Sequence, residues 1–314
     1  MNTLRKASQE YLELRRNLGF KLRGRDGALR SFVTFAEREK VSYITTDLAV
    51  RWAKQPSHVQ PATWASRLGM VRGFAVWLSA RDERTEVPPA GLLPYRYHRK
   101  TPYIYSDAEI EELVRAACRL SSPRGLRGRT YSTVFGLLSV TGMRVSEALT
   151  LDREDVNLDH GILRIRQTKF RKSRLVPLHE STRQVLLDYA SQRERVVRRP
   201  ATAAFFLSEL GGRVSARATQ SNFAKVSREV GLRPPVEGDR DGHGPRLHDM
   251  RHRFAVRTLV DWYRAGIDVE REIPKLATYL GHVHANETYW YIEAVPELLE
   301  LATRRLERRM EVTP

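Results

Sequence analysis

The 314-residue sequence has a single cysteine, Cys118, so one chain holds neither a disulfide framework nor a thiolate metal cluster. That absence points to an intracellular setting. No apolar run approaches the roughly 20 residues needed to cross a bilayer, and the opening MNTLRKASQE lacks the apolar centre of a secretory signal. A membrane span is excluded on that count, and a cytoplasmic location is expected. Acidic side chains are scarce: 37 Asp and Glu face 54 Lys and Arg, a formal charge of +17. The excess is densest in the first third, where residues 1–100 carry 19 basic and 9 acidic groups. Such a balance makes a polyanion the expected partner, either nucleic acid or an anionic surface. Lysine is rare too, since 45 of the 54 basic residues are Arg. Arg favours planar, bidentate phosphate contacts, although a GC-rich genome produces the same bias. What is present is 41% hydrophobic residues beside 29% charged ones, enough apolar surface for two or three folded domains and too much for a disordered chain.

From residue 4 to about 80 the pattern is helical. Trp64, Leu68, Val71, Ala75 and Leu78 recur at alternating spacings of four and three, the apolar stripe of a helix that Pro61 is suited to begin. Stretches around Phe32, Phe35 and Ala36, and around Leu48 and Trp52, supply facing stripes, so residues 1–81 are expected to form a four-helix module. Arg67, Arg72 and Arg81 lie near or on the polar side of its last helix, and Arg67 and Arg72 are the candidates there for phosphate contact. The plain alternative is a scaffold or protein-contact module.

Residues 82–105 change character. Pro88, Pro89, Pro94 and Pro102 interrupt helix, and YRYHRK at 95–100 interleaves Arg96, Arg99 and Lys100 with Tyr95 and Tyr97. This reads as an interdomain linker whose cations either follow a DNA backbone or merely solvate a connector. Ser106 to Glu109 has the S-x-x-E form of a capping box and marks the start of a second domain, 106–295. Helices are expected there over 107–119, 131–140, 144–151, 180–196, 218–230, 248–265 and 270–280, with strands at 162–167 and 173–178 around the turn TKFRK. Leu298, Leu299, Ala302 and Leu306 then trace an amphipathic tail helix within 296–314. The fold class is mainly α, with one small β-hairpin or sheet.

Several residues of the second domain suit phosphate chemistry. In TGMRVSEALTL, Arg144 follows a glycine turn at the start of a helical segment, where a guanidinium can be held against an anion. In LHDMRH, His248 and Arg251 stand three residues apart on one helix face, about 4.5 Å along the axis. Lys169 occupies the hairpin tip, with Arg171 and Lys172 beside it; His282 follows Gly281, and Tyr291 comes nine residues later. Singly, each has an ordinary reading as a surface or turn residue. Jointly, they fit attack of a tyrosine hydroxyl on a phosphodiester, where guanidiniums stabilise the charge growing on the nonbridging oxygens. Free tyrosine ionises only near pH 10, so it needs nearby cations or a base, and His248 is the candidate. Lys169 is placed to protonate the leaving oxygen, and His282 to bond a phosphate oxygen. Tyr289 is the alternative hydroxyl; on a helix it lies about 200° around the axis from Tyr291.

The ordered set TGMRVSEALTL, TKFRKSRLVPL, LHDMRH, LGHVH and the Tyr291 segment resembles the catalytic domain of the tyrosine recombinases, the phage integrase family, over about residues 106–295. By that resemblance Arg144 is the family's first arginine, Lys169 its hairpin lysine, His248 and Arg251 its histidine and second arginine, His282 its next histidine and Tyr291 its nucleophile. Lys172 competes with Lys169, but only Lys169 keeps the family's distance to the VPL segment. Residues 1–81 resemble the family's core-binding DNA domain.

The resemblance implies site-specific recombination or integration of DNA, as on mobile genetic elements, with no metal or other cofactor. A 3′-phosphotyrosyl intermediate would leave a 5′-hydroxyl to attack a partner strand, with no need for ATP. It implies double-stranded DNA as partner and a homotetramer on two DNA sites, with related recombinases or accessory proteins. A nucleoid-associated location follows. The tail is expected to dock on a neighbouring protomer, with docking on its own domain as the alternative. Two other functions fit the same residues: a type IB topoisomerase and a noncatalytic DNA-binding regulator.

Overall fold

The computed structural model describes residues 4–20, 22, 24–97, 101–166, 173–234, 244–284 and 286–312. The chain divides into two compact units, 1–100 and 101–314. Among the described residues, no helix is long and apolar enough to cross a membrane.

The first unit consists of α1 (Leu4–Asn17), α2 (Arg25–Arg38), α3 (Thr46–Lys54) and α4 (Pro61–Ser79). Two of the starts are encoded locally. The Thr45 hydroxyl accepts a hydrogen bond from the Leu48 N–H at 3.1 Å, and Pro61 opens α4, where its missing N–H leaves nothing unsatisfied. The apolar stripes close on Phe32, Trp52 and Phe74, with Phe32 edge-on to Trp52 at 5.4 Å between ring centroids. Burying a side chain of this kind is worth about 2 kcal/mol, which short helices need because their own backbone bonds barely hold them in water.

Prolines 88 and 89 bar helix but not packing. The Glu86 N–H donates to the Ile44 carbonyl at 2.8 Å, the Glu86 carboxylate accepts from the Thr46 N–H at 2.7 Å, and Leu93 enters the first unit's core. Tyr105, by contrast, is buried in the second unit, where its hydroxyl donates to the Arg246 carbonyl at 3.1 Å. Residues 82–105 are therefore shared between the two units.

The second unit runs α5 (Asp107–Cys118), α6 (Arg127–Thr141), α7 (Val145–Thr150), β1 (Val156–Asn157), β2 (Ile162–Ile165), β3 (Arg174–Pro177), α8 (Glu180–Val196), α9 (Ala216–Glu229), α10 (Leu247–Arg264), α11 (Val269–Leu280), α12 (Asn286–Ala294) and α13 (Pro296–Val312). The capping box at Ser106 forms in both directions: the Ser106 hydroxyl accepts from the Glu109 N–H, and the Glu109 carboxylate from the Ser106 N–H. The strands make an antiparallel sheet in the order β1-β2-β3, with Leu163 opposite Val176 and Ile165 opposite Arg174. The first strand, only two residues long, carries too little alternation to be seen in sequence.

Two cores meet at α10. Leu247 and Met250 join the larger one with α5 to α9, while Ala255, Val256 and Leu259 join a smaller one with α11, α12 and α13. Asp107 at the start of α5 receives hydrogen bonds from Arg253 and Arg257, which tie α10 to the head of the domain. Within the single chain the tail helix α13 packs on its own domain: Leu298 is fully buried in the smaller core, and Glu297 pairs with Arg264 at 2.8 Å. The connection is short: Val295 alone separates α12 from α13, and its side chain is itself buried.

Candidate active site

Two glycine turns bring separate segments together. Gly142 ends α6 and Gly281 ends α11, both in the left-handed region with φ of 59° and 69°. A Cβ at Gly142 would stand 2.5 Å from the Phe254 ring, and one at Gly281 would stand 2.9 Å from the Arg174 guanidinium. Both positions therefore require glycine. Their carbonyls are used at once: Arg251 Nη1 donates to the Gly142 oxygen at 2.8 Å, and Arg144 Nη2 donates to the Gly281 oxygen at 3.1 Å. A third bond, Arg251 Nη2 to the Leu280 oxygen at 2.8 Å, fixes the plane of the second guanidinium. Each terminal nitrogen carries two hydrogens, so every such bond leaves the other N–H to meet an acceptor such as a phosphate oxygen.

Glu147 sets the first guanidinium in place. Its carboxylate accepts from Arg144 Nη1 at 3.0 Å and from the Arg144 N–H at 2.9 Å, and receives Arg174 in a fork of 3.1 and 2.7 Å. Burial by itself would push this carboxyl up; the bonds from Arg174 and then Arg144 outweigh it, and the pKa lies below the usual carboxylate value. A group with a depressed folded pKa contributes stability that is complete above its unfolded pKa and is withdrawn as pH falls through the folded one. Glu147→Gln keeps the shape, removes the charge and leaves Arg144 and Arg174 facing each other without a counterion. We expect it to destabilise the domain by about 3–5 kcal/mol, read as a lower urea midpoint, and to flatten the acid limb of its stability. An unchanged midpoint at neutral pH would refute the assignment.

The remaining groups come from α10 and the segment after α11. His282 follows Gly281, and its Nδ1 pairs with the hydroxyl of buried Thr288 at 2.7 Å. Burial, then Arg251 and Arg144, lower its pKa to about 3, so the ring is neutral at pH 7. His248 sits at the first turn of α10 and is exposed as a residue; partial desolvation of its ring and then Arg251 lower its pKa as well. Arg251 is 2% exposed, and burial followed by Arg144 brings it to about 10, still cationic at neutral pH.

Tyr291 is buried on α12, whereas Tyr289 is exposed. The Tyr291 hydroxyl lies 3.0 Å from Nδ1 of His252, one helical turn beyond His248. The α10 histidine that meets the hydroxyl is thus His252, and its ring lies between Tyr291 and His248, the histidine expected to assist the tyrosine.

Four groups of this site carried no role in the sequence reading: His252, Asp249, Glu147 and Arg174. The signals were faint. Glu147 is three residues after Arg144, His252 four after His248, and Arg174 shares a strand face with the buried Val176.

Of the residues expected to touch DNA, Lys169, Arg171, Lys172, Arg99 and Lys100 lie outside the described residues. Arg67 turns inward: it donates to the Ala53 and Trp52 carbonyls at 3.1 and 3.0 Å and stacks on the Trp52 ring, joining the Gln55 N–H in satisfying carbonyls at the end of α3. Arg72 is half-buried, its Nε without a partner among the described residues. Arg96 is exposed between Tyr95 and Tyr97.

Two fixed guanidiniums, two neutral imidazoles and a buried tyrosine thus share one region, and the chain as a whole has recognisable relatives. The phage integrase family model matches residues 104–297. The Sinorhizobium fredii protein y4rB, which carries an integrase/recombinase name, is 50% identical over 99% of both chains, and the tyrosine recombinase XerD of Bradyrhizobium diazoefficiens is 29% identical over 86% of this chain and 82% of its own. The Tn1549 transposon integrase, in a structure with transposon right end DNA, shares the fold at a TM-score of 0.62 with 15% identity, over 96% of this chain and 98% of that one. XerH bound to difH superposes at 0.60 with 17% identity, over 89% of this chain and 78% of that chain. The chain belongs to the phage integrase family, the tyrosine-type site-specific recombinases.

Proposed function

We propose that the protein cleaves and rejoins double-stranded DNA at specific sites through a 3′-phosphotyrosyl intermediate on Tyr291. The convergence of Arg144, Arg251, His248 and His282 on the surroundings of the Tyr291 hydroxyl carries the reading; Arg251 and His282 are each perturbed electrostatically by Arg144, and Arg251 by Tyr291. In the transition state the two arginines neutralise the nonbridging oxygens, a task that needs no metal ion when guanidiniums are already fixed there. His248 and His282 hydrogen-bond the same phosphate, and Lys169 protonates the departing 5′ oxygen. The phosphotyrosyl ester keeps the energy of the broken linkage, so a 5′-hydroxyl reseals it without ATP.

The helical first unit serves as a DNA-binding module, with residues 82–105 connecting it to the catalytic domain. Exchange of strands between two DNA sites requires a homotetramer, with related recombinases or accessory proteins at the sites. The solved complexes of XerH and of the Tn1549 integrase with DNA support DNA as the partner.

Incubation with duplexes carrying randomised sites, followed by denaturation and peptide mapping, tests the proposal. The expected product is one protein–DNA adduct on Tyr291, with a free 5′-hydroxyl on the cleaved strand. Relaxation of arbitrary supercoiled DNA without joined products would instead indicate topoisomerase action, and binding without any adduct would indicate a regulator.

A further inference from the structure

Resting on the reading that Tyr291 attacks phosphorus, we propose that His252 is the general base that takes the tyrosine proton, with Asp249 as the carboxylate that holds the resulting imidazolium. His252 is the α10 histidine bonded to the hydroxyl, its Nδ1 at 3.0 Å from Oη. Its other nitrogen, Nε2, faces Asp249 Oδ1 at 4.0 Å. A carboxylate on that side favours the ring proton on Nε2, which leaves Nδ1 as the acceptor and the tyrosine as the donor. Asp249 is 2% exposed and is held by the Arg246 N–H at 2.8 Å and the Arg246 guanidinium at 2.9 Å, so its direction is fixed.

Packing reinforces the geometry. The His252 ring meets the Tyr291 ring at 5.5 Å and the Trp290 ring at 5.6 Å, and His248 closes its other side at 4.8 Å. Burial, then His248, keep the free imidazole neutral, with a pKa lowered to about 4, while Asp249 opposes the shift and Arg246 and Arg251 add to it. His282 faces the same space from the segment after α11. A bound phosphodiester brings negative charge towards Arg251 and Arg144. It offsets the cations that weaken His252, so the base gains strength when the substrate arrives.

The step balances. The Oη–P bond forms as the P–O5′ bond breaks, the phenolic proton passes to His252 Nδ1, and the 5′ oxygen takes its proton from the general acid. On resealing the 5′-hydroxyl attacks phosphorus as its proton returns to the deprotonated general acid, and Oη departs and recovers its proton from Nδ1.

The test measures single-turnover adduct formation on the duplex recovered from the randomised pool. His252→Asn places an acceptor where Nδ1 stood but takes no proton, and His252→Ala removes both. Both variants should cleave about 100-fold more slowly or worse, with DNA binding unchanged. Introducing 3-fluorotyrosine at position 291, whose hydroxyl is more acidic, should recover the Asn variant more than it accelerates the native protein. Wild-type cleavage by the Asn variant overturns the base, as does restoration by Asn of what Ala loses. Failure of the parent reading looks different: the native protein then forms no adduct, or forms one on another residue.

Discussion

Tyr291→Phe should form no covalent adduct with DNA while keeping its fold and its affinity for the site. The substitution deletes one oxygen, the atom that would bond to phosphorus. Its structural cost includes the hydrogen bond to His252, whose buried Nδ1 loses that partner, about 1–3 kcal/mol and well within the stability of an ordinary domain. No neighbour takes its place: Tyr289 is exposed and stands about 200° away around α12. A denaturing gel with end-labelled duplex measures the adduct, and a gel shift under native conditions measures binding. Equal adduct in the Phe variant would remove Tyr291 from the mechanism.

Arg251→Lys should lower single-turnover cleavage by about 100- to 1,000-fold, the range found when a preorganised donor to a developing oxyanion is lost. Charge is retained, so the loss isolates geometry. The guanidinium spans two carbonyls, Gly142 and Leu280, and still presents further N–H groups in a fixed plane. An ammonium is a compact point charge on a flexible stem and cannot hold both carbonyls and a phosphate in that plane. The two carbonyls lie at the ends of α6 and α11, so part of the cost will appear as looser packing of those turns. Circular dichroism and the urea midpoint separate that part from the chemical one. Cleavage by the Lys variant at the native rate would show that positive charge alone suffices at this position.

Legibility followed the range of the interactions. The Ser106 capping box, Pro61 at the head of α4, and Gly142 and Gly281 at helix ends depend on neighbours within a few residues, and sequence spacing exposes them. The inward bonds of Arg67 were not legible, because its position on α4 says nothing of the α3 carbonyls, 14 and 15 residues away, that it meets. The contact between His252 and Tyr291 was hidden for a related reason. Residues 248 and 252 share a helix face, and only the seat of α12 decides which of them meets Tyr291.

Composition, periodicity and motif order by themselves determined a mainly helical chain, its basic character and the set of residues suited to phosphate chemistry, because each depends on residue type and local spacing. Tertiary structure alone decided the wiring. Glu147 clamps two arginines 30 residues apart, Arg251 joins the ends of two helices, and His252 rather than His248 holds the tyrosine. Those choices are made by packing between distant segments, where a shift of one helical turn exchanges one histidine for another.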